Sequence, residues 1–290
     1  MAESKTKSIY DLLIWKRTQP KEELNGEEGI ELIELPPINN QVVRATIKRA
    51  KNPLPGNPIV ILAHGNGEIQ LNYILDSQSP LSPTENFCEH GISVCSFDYR
   101  GYGLSDGEYG ASALTEKEDT IALIKYLKSQ GFEKISYLGR SLGATCGIFA
   151  AAEFPDLVCV ALDSPWISTR DWIEYCAKHF CNIDKELFDS LLPKVYETIK
   201  DDTGLDFTTA ESPEDVAHKI VSPISVIHGT YDDLIPISHS ERLMELIQST
   251  EKHFLTMPMD HRDDARFNKP YQNLIKFIQT HNGVNLEANQ

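Results

Sequence analysis

The sequence predicts an α/β fold: a doubly wound, mostly parallel sheet wrapped by helices, with a helical insertion past its middle. Three observations carry this. Five segments, Ile59 to Ala63, Ser93 to Phe97, Ile135 to Leu138, Val158 to Leu162 and Ile224 to Ile227, are short and almost wholly apolar, as strands covered on both faces must be. Segments with helical spacing lie between them, and such alternation is the signature of a doubly wound sheet. From Trp166 to His218 the strand signals stop, and apolar residues recur only at helical spacing.

In chain order, an amphipathic segment from Ile9 to Trp15 precedes a charged loop. Ile30 to Leu35 and Val42 to Ile47 then alternate apolar and polar residues, as an antiparallel pair does. After the first buried strands, Leu114 to Leu127 opens with Thr115 and repeats apolar groups at Ile121, Leu123, Ile124 and Leu127, a helix. Within the insertion Leu187, Phe188, Leu191, Leu192, Val195 and Ile199 define another helix, which Pro193 is expected to break or kink. Ser240 to Ile247 and Tyr271 to Ile278 are helical, with His253 to Met257 as the last strand. The expected organisation is an N-terminal helix and loop over 1–28, a core made of 29–165 and 219–281, a helical cap over 166–218, and a flexible polar tail over 282–290.

Composition narrows the function. With 290 residues, 41% hydrophobic and 24% charged, the chain can bury a large core. A net charge of -16 argues against nucleic acid as a partner, because phosphate binding needs a basic surface. No stretch approaches the roughly 20 apolar residues of a membrane helix, and Met1 to Lys7 lacks the apolar core of a signal peptide. Six cysteines without a CxxC pair read as reduced, mostly buried thiols, so the expected location is cytoplasmic. The histidines His90, His179, His218, His239 and His281 are expected on surfaces, scattered without metal-ligand spacing, so neither a metal nor another cofactor is expected.

The strongest local signal is Gly139-Arg140-Ser141-Leu142-Gly143, a G-x-S-x-G between a strand and an apolar helix. A nucleophile elbow needs a sharp strand-to-helix turn with a strained serine at its tip and small neighbours around it. Ser141 alone is a weak nucleophile, so a base and an orienting acid are required, in the order serine, acid, histidine. The loop after Ile224 to Ile227 offers Asp232, with Asp233 as the alternative, at the sheet edge where open α/β sheets keep their sites. One strand later the next imidazole is His261, since His253 falls at the wrong end of that strand. Backbone N–H groups of Leu142 and of Asn66, in His64-Gly65-Asn66-Gly67, are the candidate oxyanion donors. His64 reads as structural. The glycine-rich run Gly101 to Gly107 could be mistaken for a dinucleotide loop, but no helix opens on it to receive a pyrophosphate.

Taken in order, His64-Gly65-Asn66, Phe97-Asp98-Tyr99-Arg100-Gly101-Tyr102-Gly103-Leu104-Ser105, Gly139 to Gly143, Leu162-Asp163-Ser164-Pro165, His228-Gly229 to Asp232 and Asp260-His261 resemble the α/β-hydrolase superfamily. The resemblance is nearest to the serine aminopeptidase-like group and to little-characterised plant and protist serine hydrolases, and it spans about residues 58 to 280. It implies the α/β-hydrolase fold and the roles just assigned to Ser141, Asp232, His261, Asn66 and Leu142. The chain departs from the pattern at Met259, where relatives usually carry glycine.

The expected function is hydrolysis of small carboxylic esters through an acyl-enzyme, with a small-molecule acyl ester as partner. A peptidase, an acyl-protein thioesterase and a non-catalytic interaction protein are the alternatives; no cysteine precedes Cys88 to carry an anchoring lipid. The insertion leaves the sheet beside Ser141, and its Trp166 and Trp172 are the candidates for lining an acyl pocket, against the alternative that they only fix the cap. Oligomeric state has no sequence signal.

Overall fold

The computed structural model describes residues 2–17, 29–70, 72, 82–262 and 269–285. Residues 18–28 of the expected N-terminal loop and 286–290 of the expected tail lie outside that set.

Eight strands form the main sheet: β2 (Ile30–Glu34), β3 (Arg44–Lys48), β4 (Ile59–Ala63), β5 (Ser93–Asp98), β7 (Ile135–Arg140), β8 (Val160–Asp163), β9 (Ile224–Gly229) and β10 (Lys252–Met257). Their order is β10-β9-β8-β7-β4-β5-β3-β2. Pairing from β10 through to β5 is parallel, while β3 is antiparallel to both β5 and β2. The alternating segments near the start are therefore the antiparallel edge of an otherwise parallel sheet. Ile59 and Ile61 of β4 face one apolar cluster, and Val60 and Leu62 face a second on the other side. Burial on both faces removes the alternation a one-sided strand would show.

Helices α3 (Glu116–Ser129) and α4 (Leu142–Glu153) cover the first face. The other is covered by α2 (Pro83–Glu89), through Phe87, and α8 (Lys269–His281), through Tyr271, Leu274, Ile275 and Ile278. The chain passes from β4 to β5 on one side, then returns across β4 to β7 on the other. The carboxyl ends of β4 and β7 therefore flank a topological switch point, where an open α/β sheet leaves a crevice.

Between β8 and β9 there are only helices: α5 (Thr169–Cys181), α6 (Lys185–Thr203), the one-turn α7 (Pro213–Val216) and a 3₁₀ turn (Ala217–Lys219). Ser168 and Asp184 cap α5 and α6 by accepting from the N–H groups of Asp171 and Leu187, each cap contributing about 1 kcal/mol. Of the break or kink expected at Pro193, the break does not occur: α6 runs through it as one helix. Phe188, Leu192, Val195 and Ile199 bury one face on both sides of the proline, which offsets the lost backbone bond.

At the start, α1 (Ala2–Leu13) packs on α5 and α6, so the helix begins earlier than the apolar spacing implied. Trp15 belongs instead to a two-residue strand, β1 (Trp15–Lys16), antiparallel to β6 (Tyr109–Gly110). At the other end Asn282 is buried and its amide donates to Ser136 Oγ and to the Ile278 carbonyl, so the polar tail is anchored where it begins.

Candidate active site

Ser141 stands between β7 and α4 at φ 52°, ψ -114°, a conformation that costs a non-glycine residue about 1–3 kcal/mol. Two backbone bonds hold it there: its N–H donates to Asp163 O at 2.8 Å, and its carbonyl accepts from Thr145 N at 2.9 Å. Gly143 allows the first turn of α4 to close on the end of β4, since a Cβ there would lie 2.2 Å from Ala63 O.

Asp232 and His261 reach the same crevice from adjacent loops. The backbone joins those loops beyond the paired strands: Thr230 N donates to Met257 O at 2.7 Å and Tyr231 N to Met259 O at 3.1 Å. A Cβ on Gly229 would sit 2.2 Å from Met259 O, so the close approach at Met259 is met by a glycine on the neighbouring strand.

The side chains then form a chain of hydrogen bonds. His261 Nδ1 lies 2.7 Å from Asp232 Oδ2 and its Nε2 lies 3.0 Å from Ser141 Oγ. A carboxylate only accepts, so Nδ1 carries the proton and Nε2 is left to receive one from the serine. Asp232 Oδ1 accepts from the N–H groups of Leu234 and Ile235 at 3.0 and 2.7 Å. Burial pushes the Asp232 pKa up, but bonds from His228 and His261 outweigh it and hold the carboxyl far below its usual range. Asp233 is half-exposed and pairs with Arg262, away from this chain.

His228, read from the sequence only as part of a motif, is fully buried beside the acid. Its Nε2–H donates to Ile235 O at 2.8 Å and lies 3.3 Å from Asp232 Oδ2, while its Nδ1 accepts from Ser240 Oγ at 2.7 Å. Asp232 thus faces four N–H groups, two on each oxygen.

Leu142 opens α4, where first-turn N–H groups have no intrahelical acceptor. Asn66 is exposed in the loop after β4, and its Oδ1 accepts from Tyr102 OH at 3.0 Å, which fixes the side chain. That loop is tied to the Gly101–Gly103 turn through Asp98, which accepts from Gln70 N, Gln70 Nε2 and Leu104 N. His64 is buried against Tyr99 and Tyr102, and burial lowers its pKa. His239, expected among the surface histidines, is buried instead. It accepts from Ile167 N at 3.3 Å, and burial lowers its pKa to about 4.

Trp166 and Trp172 stack at 4.2 Å, and both are buried, at 1% and 5% exposure. Trp172 Nε1 donates to Leu234 O at 3.1 Å, and Trp15 meets its ring edge-on. The pair therefore seats α5 on the loop that carries Asp232. A cavity of about 430 Å³ at the insertion is lined by Phe149, Tyr196, Phe207, Ser168, Arg170 and Glu211 among others, and its lining includes neither of the two tryptophans nor Ser141. Among the described residues no group of acidic, histidine or cysteine side chains is arranged to hold a metal ion, and no helix is long and apolar enough to cross a membrane.

Comparison with known proteins agrees with this architecture. Residues 55–211, more than half of the chain, match the model of a family described as serine aminopeptidase, S33. An uncharacterized membrane protein of Saccharomyces cerevisiae, YNL320W, is 26% identical over 65% of this chain and 61% of its own length. Human protein ABHD12B is 25% identical over 68% of this chain and 52% of its own length. The aligned region therefore spans only about half to three-fifths of these two relatives. Among solved structures, the Pyrococcus furiosus esterase Pf2001 superposes with a TM-score of 0.66 over 92% of this chain and 97% of its own, at 17% identity. Proline iminopeptidase of Mycobacterium smegmatis gives 0.59 over 87% and 99%, at 18% identity. At such identities the structural likeness speaks for a shared α/β-hydrolase fold.

Proposed function

The chain belongs to the serine aminopeptidase S33 family of α/β hydrolases, and from that premise we propose that it is a serine hydrolase cleaving small carboxylic esters through an acyl-enzyme. The observation that carries this reading is the unbroken hydrogen-bond chain from Ser141 Oγ through His261 to Asp232 at the switch point of the sheet.

In this mechanism Ser141 Oγ attacks the ester carbonyl carbon as His261 Nε2 takes its proton. Asp232 stabilises the imidazolium, and the N–H groups of Leu142 and Asn66 receive the oxyanion. His261 then protonates the leaving alkoxide, and water deacylates Ser141 by the same steps in reverse. No cofactor takes part. We place the protein in the cytoplasm, a reading supported by its six unpaired cysteines.

The second reading, a peptidase, is favoured by the family description. The helices of 166–218 are proposed to act as a cap. Trp166 and Trp172, buried as they are, would influence acyl selection by seating that cap on the Asp232 loop. The test is a hydrolysis panel of p-nitrophenyl esters from acetate to palmitate, acyl thioesters and aminoacyl p-nitroanilides. Short to medium esters should turn over fastest and lose activity in Ser141→Ala. Preference for the anilides would favour the peptidase, and activity surviving in Ser141→Ala would refute the mechanism.

A further inference from the structure

The variable position of the G-x-S-x-G pattern holds Arg140, the last residue of β7, and its guanidinium reaches Glu68 in the loop after β4, the backbone of His261 and Asp163. Nη1 pairs with Glu68 Oε1 at 2.7 Å, Nη2 donates to the backbone carbonyl of His261 at 2.5 Å, and Nε lies 3.7 Å from Asp163 Oδ2. The second oxygen of Glu68 accepts from Gly65 N at 2.8 Å, directly beside the Asn66 N–H. Asp163, in turn, holds Ser141 through its backbone carbonyl. Arg140 and Glu68 are mostly buried, with side chains 15% and 18% exposed.

From this geometry we infer that Arg140 is a positioning residue, whose fork fixes the oxyanion loop and the backbone of the base relative to the nucleophile it precedes. The reasoning rests on the serine-hydrolase reading above. Without the fork, the loop after β4 and the loop after β10 lose their common anchor, although each keeps its own strand. They can then shift against Ser141 independently. A guanidinium suits the task because it directs separate N–H groups at a carboxylate and a carbonyl from one rigid plane, which an ammonium cannot do. The G-x-S-x-G pattern leaves this position free, so the pattern alone assigns it nothing. Arg140 touches no reacting atom; it acts through Glu68, Gly65 and the His261 backbone.

The experiment compares Arg140→Met, Arg140→Lys, Glu68→Gln and the Arg140→Met/Glu68→Gln double variant, with Ser141→Ala as reference. kcat and KM are measured on p-nitrophenyl butyrate, inhibition is measured with an aryl trifluoromethyl ketone that forms a tetrahedral adduct, and melting is followed by circular dichroism. Misplacing catalytic groups by about an ångström costs on the order of 100-fold, so Arg140→Met should lose that much in kcat with KM changed less than about threefold. Ketone inhibition should weaken in parallel with kcat/KM across the series, because both depend on the oxyanion. Arg140→Lys should fall between wild type and Arg140→Met, and the double variant should be no worse than Arg140→Met alone, since one link is lost in both. If Arg140→Met does not fold, Arg140→Lys and Glu68→Gln carry the same test, with losses in kcat and ketone inhibition moving together. An Arg140→Met enzyme with kcat within about twofold of wild type, or effects at Arg140 and Glu68 that multiply as independent losses, overturns the inference. Ser141→Ala separates the two levels: if it stays active the serine mechanism itself fails, whereas if it is dead while Arg140→Met is not, only the positioning role fails.

Discussion

Replacing Asp232 by Asn tests the proposed mechanism at its least visible member, and the expected loss can be worked out from the contacts. The carboxylate receives Leu234 N and Ile235 N on Oδ1, and His261 Nδ1 and His228 Nε2 face Oδ2 at 2.7 and 3.3 Å. An amide has one accepting oxygen. With that oxygen toward the two backbone N–H groups, its NH₂ confronts two imidazole N–H groups; flipped, it confronts the backbone pair. The conflict is relieved most readily if His261 moves its proton from Nδ1 to Nε2, because His228 must keep its Nε2 proton for Ile235 O. The His261 nitrogen that faces Ser141 then can no longer accept. A base trapped in this tautomer costs about 10⁴-fold in kcat, equivalent to ~5.4 kcal/mol. The remaining donor conflict destabilises the fold by a further ~1–3 kcal/mol. The assay is kcat on p-nitrophenyl butyrate, with urea midpoints to confirm folding. Asp233→Asn serves as control and should leave kcat unchanged, since Asp233 pairs with Arg262 at the surface. Asp232→Asn retaining more than about a tenth of wild-type turnover would refute the role given to the acid.

Two further outcomes follow from packing and burial. Trp172→Ala should cost ~3–5 kcal/mol and release Leu234 O, while the optimum ester chain length shifts in both Trp172→Ala and Trp166→Ala; an unchanged chain-length profile with a lowered melting point would confine the two rings to packing. Acid should destabilise the fold between about pH 6.5 and 4: His239 stays neutral when folded, with its pKa lowered to about 4, but gains a proton in the unfolded chain, so up to ~3 kcal/mol disappears as pH falls through that window. His64 adds to the slope in the same direction, and a urea midpoint that stays constant from pH 7 to 4.5 would contradict this.

The parallel sheet was legible because strands buried on both faces leave short apolar runs, as at β4, whose residues divide between two clusters. Ser141, Asp232 and His261 were legible for a related reason: each follows a strand end, and chain order with edge position restricts the choice. What stayed hidden depended on distance in sequence. Neither Arg140 with Glu68 and His261 O, nor Tyr102 with Asn66, has any local periodicity to betray it. The two-residue pairing of Trp15 and Lys16 with Tyr109 and Gly110 is too short for an alternating pattern. Pro193 does not break α6 because proline chemistry describes an isolated helix, whereas α6 is held by its buried face. His239 resembled its surface neighbours until the insertion was seen to dock on it through Ile167 N.

The central claim is that Ser141 is an activated nucleophile, and covalent capture tests it most directly. Folded protein is treated with a fluorophosphonate, its intact mass is followed with time, and the modified residue is located by peptide sequencing. The account predicts a single adduct on Ser141, absent from Ser141→Ala and formed far more slowly in His261→Ala, where no base lies 3.0 Å from the hydroxyl. A folded protein that remains unlabelled, or one that carries the adduct on another residue, would contradict it.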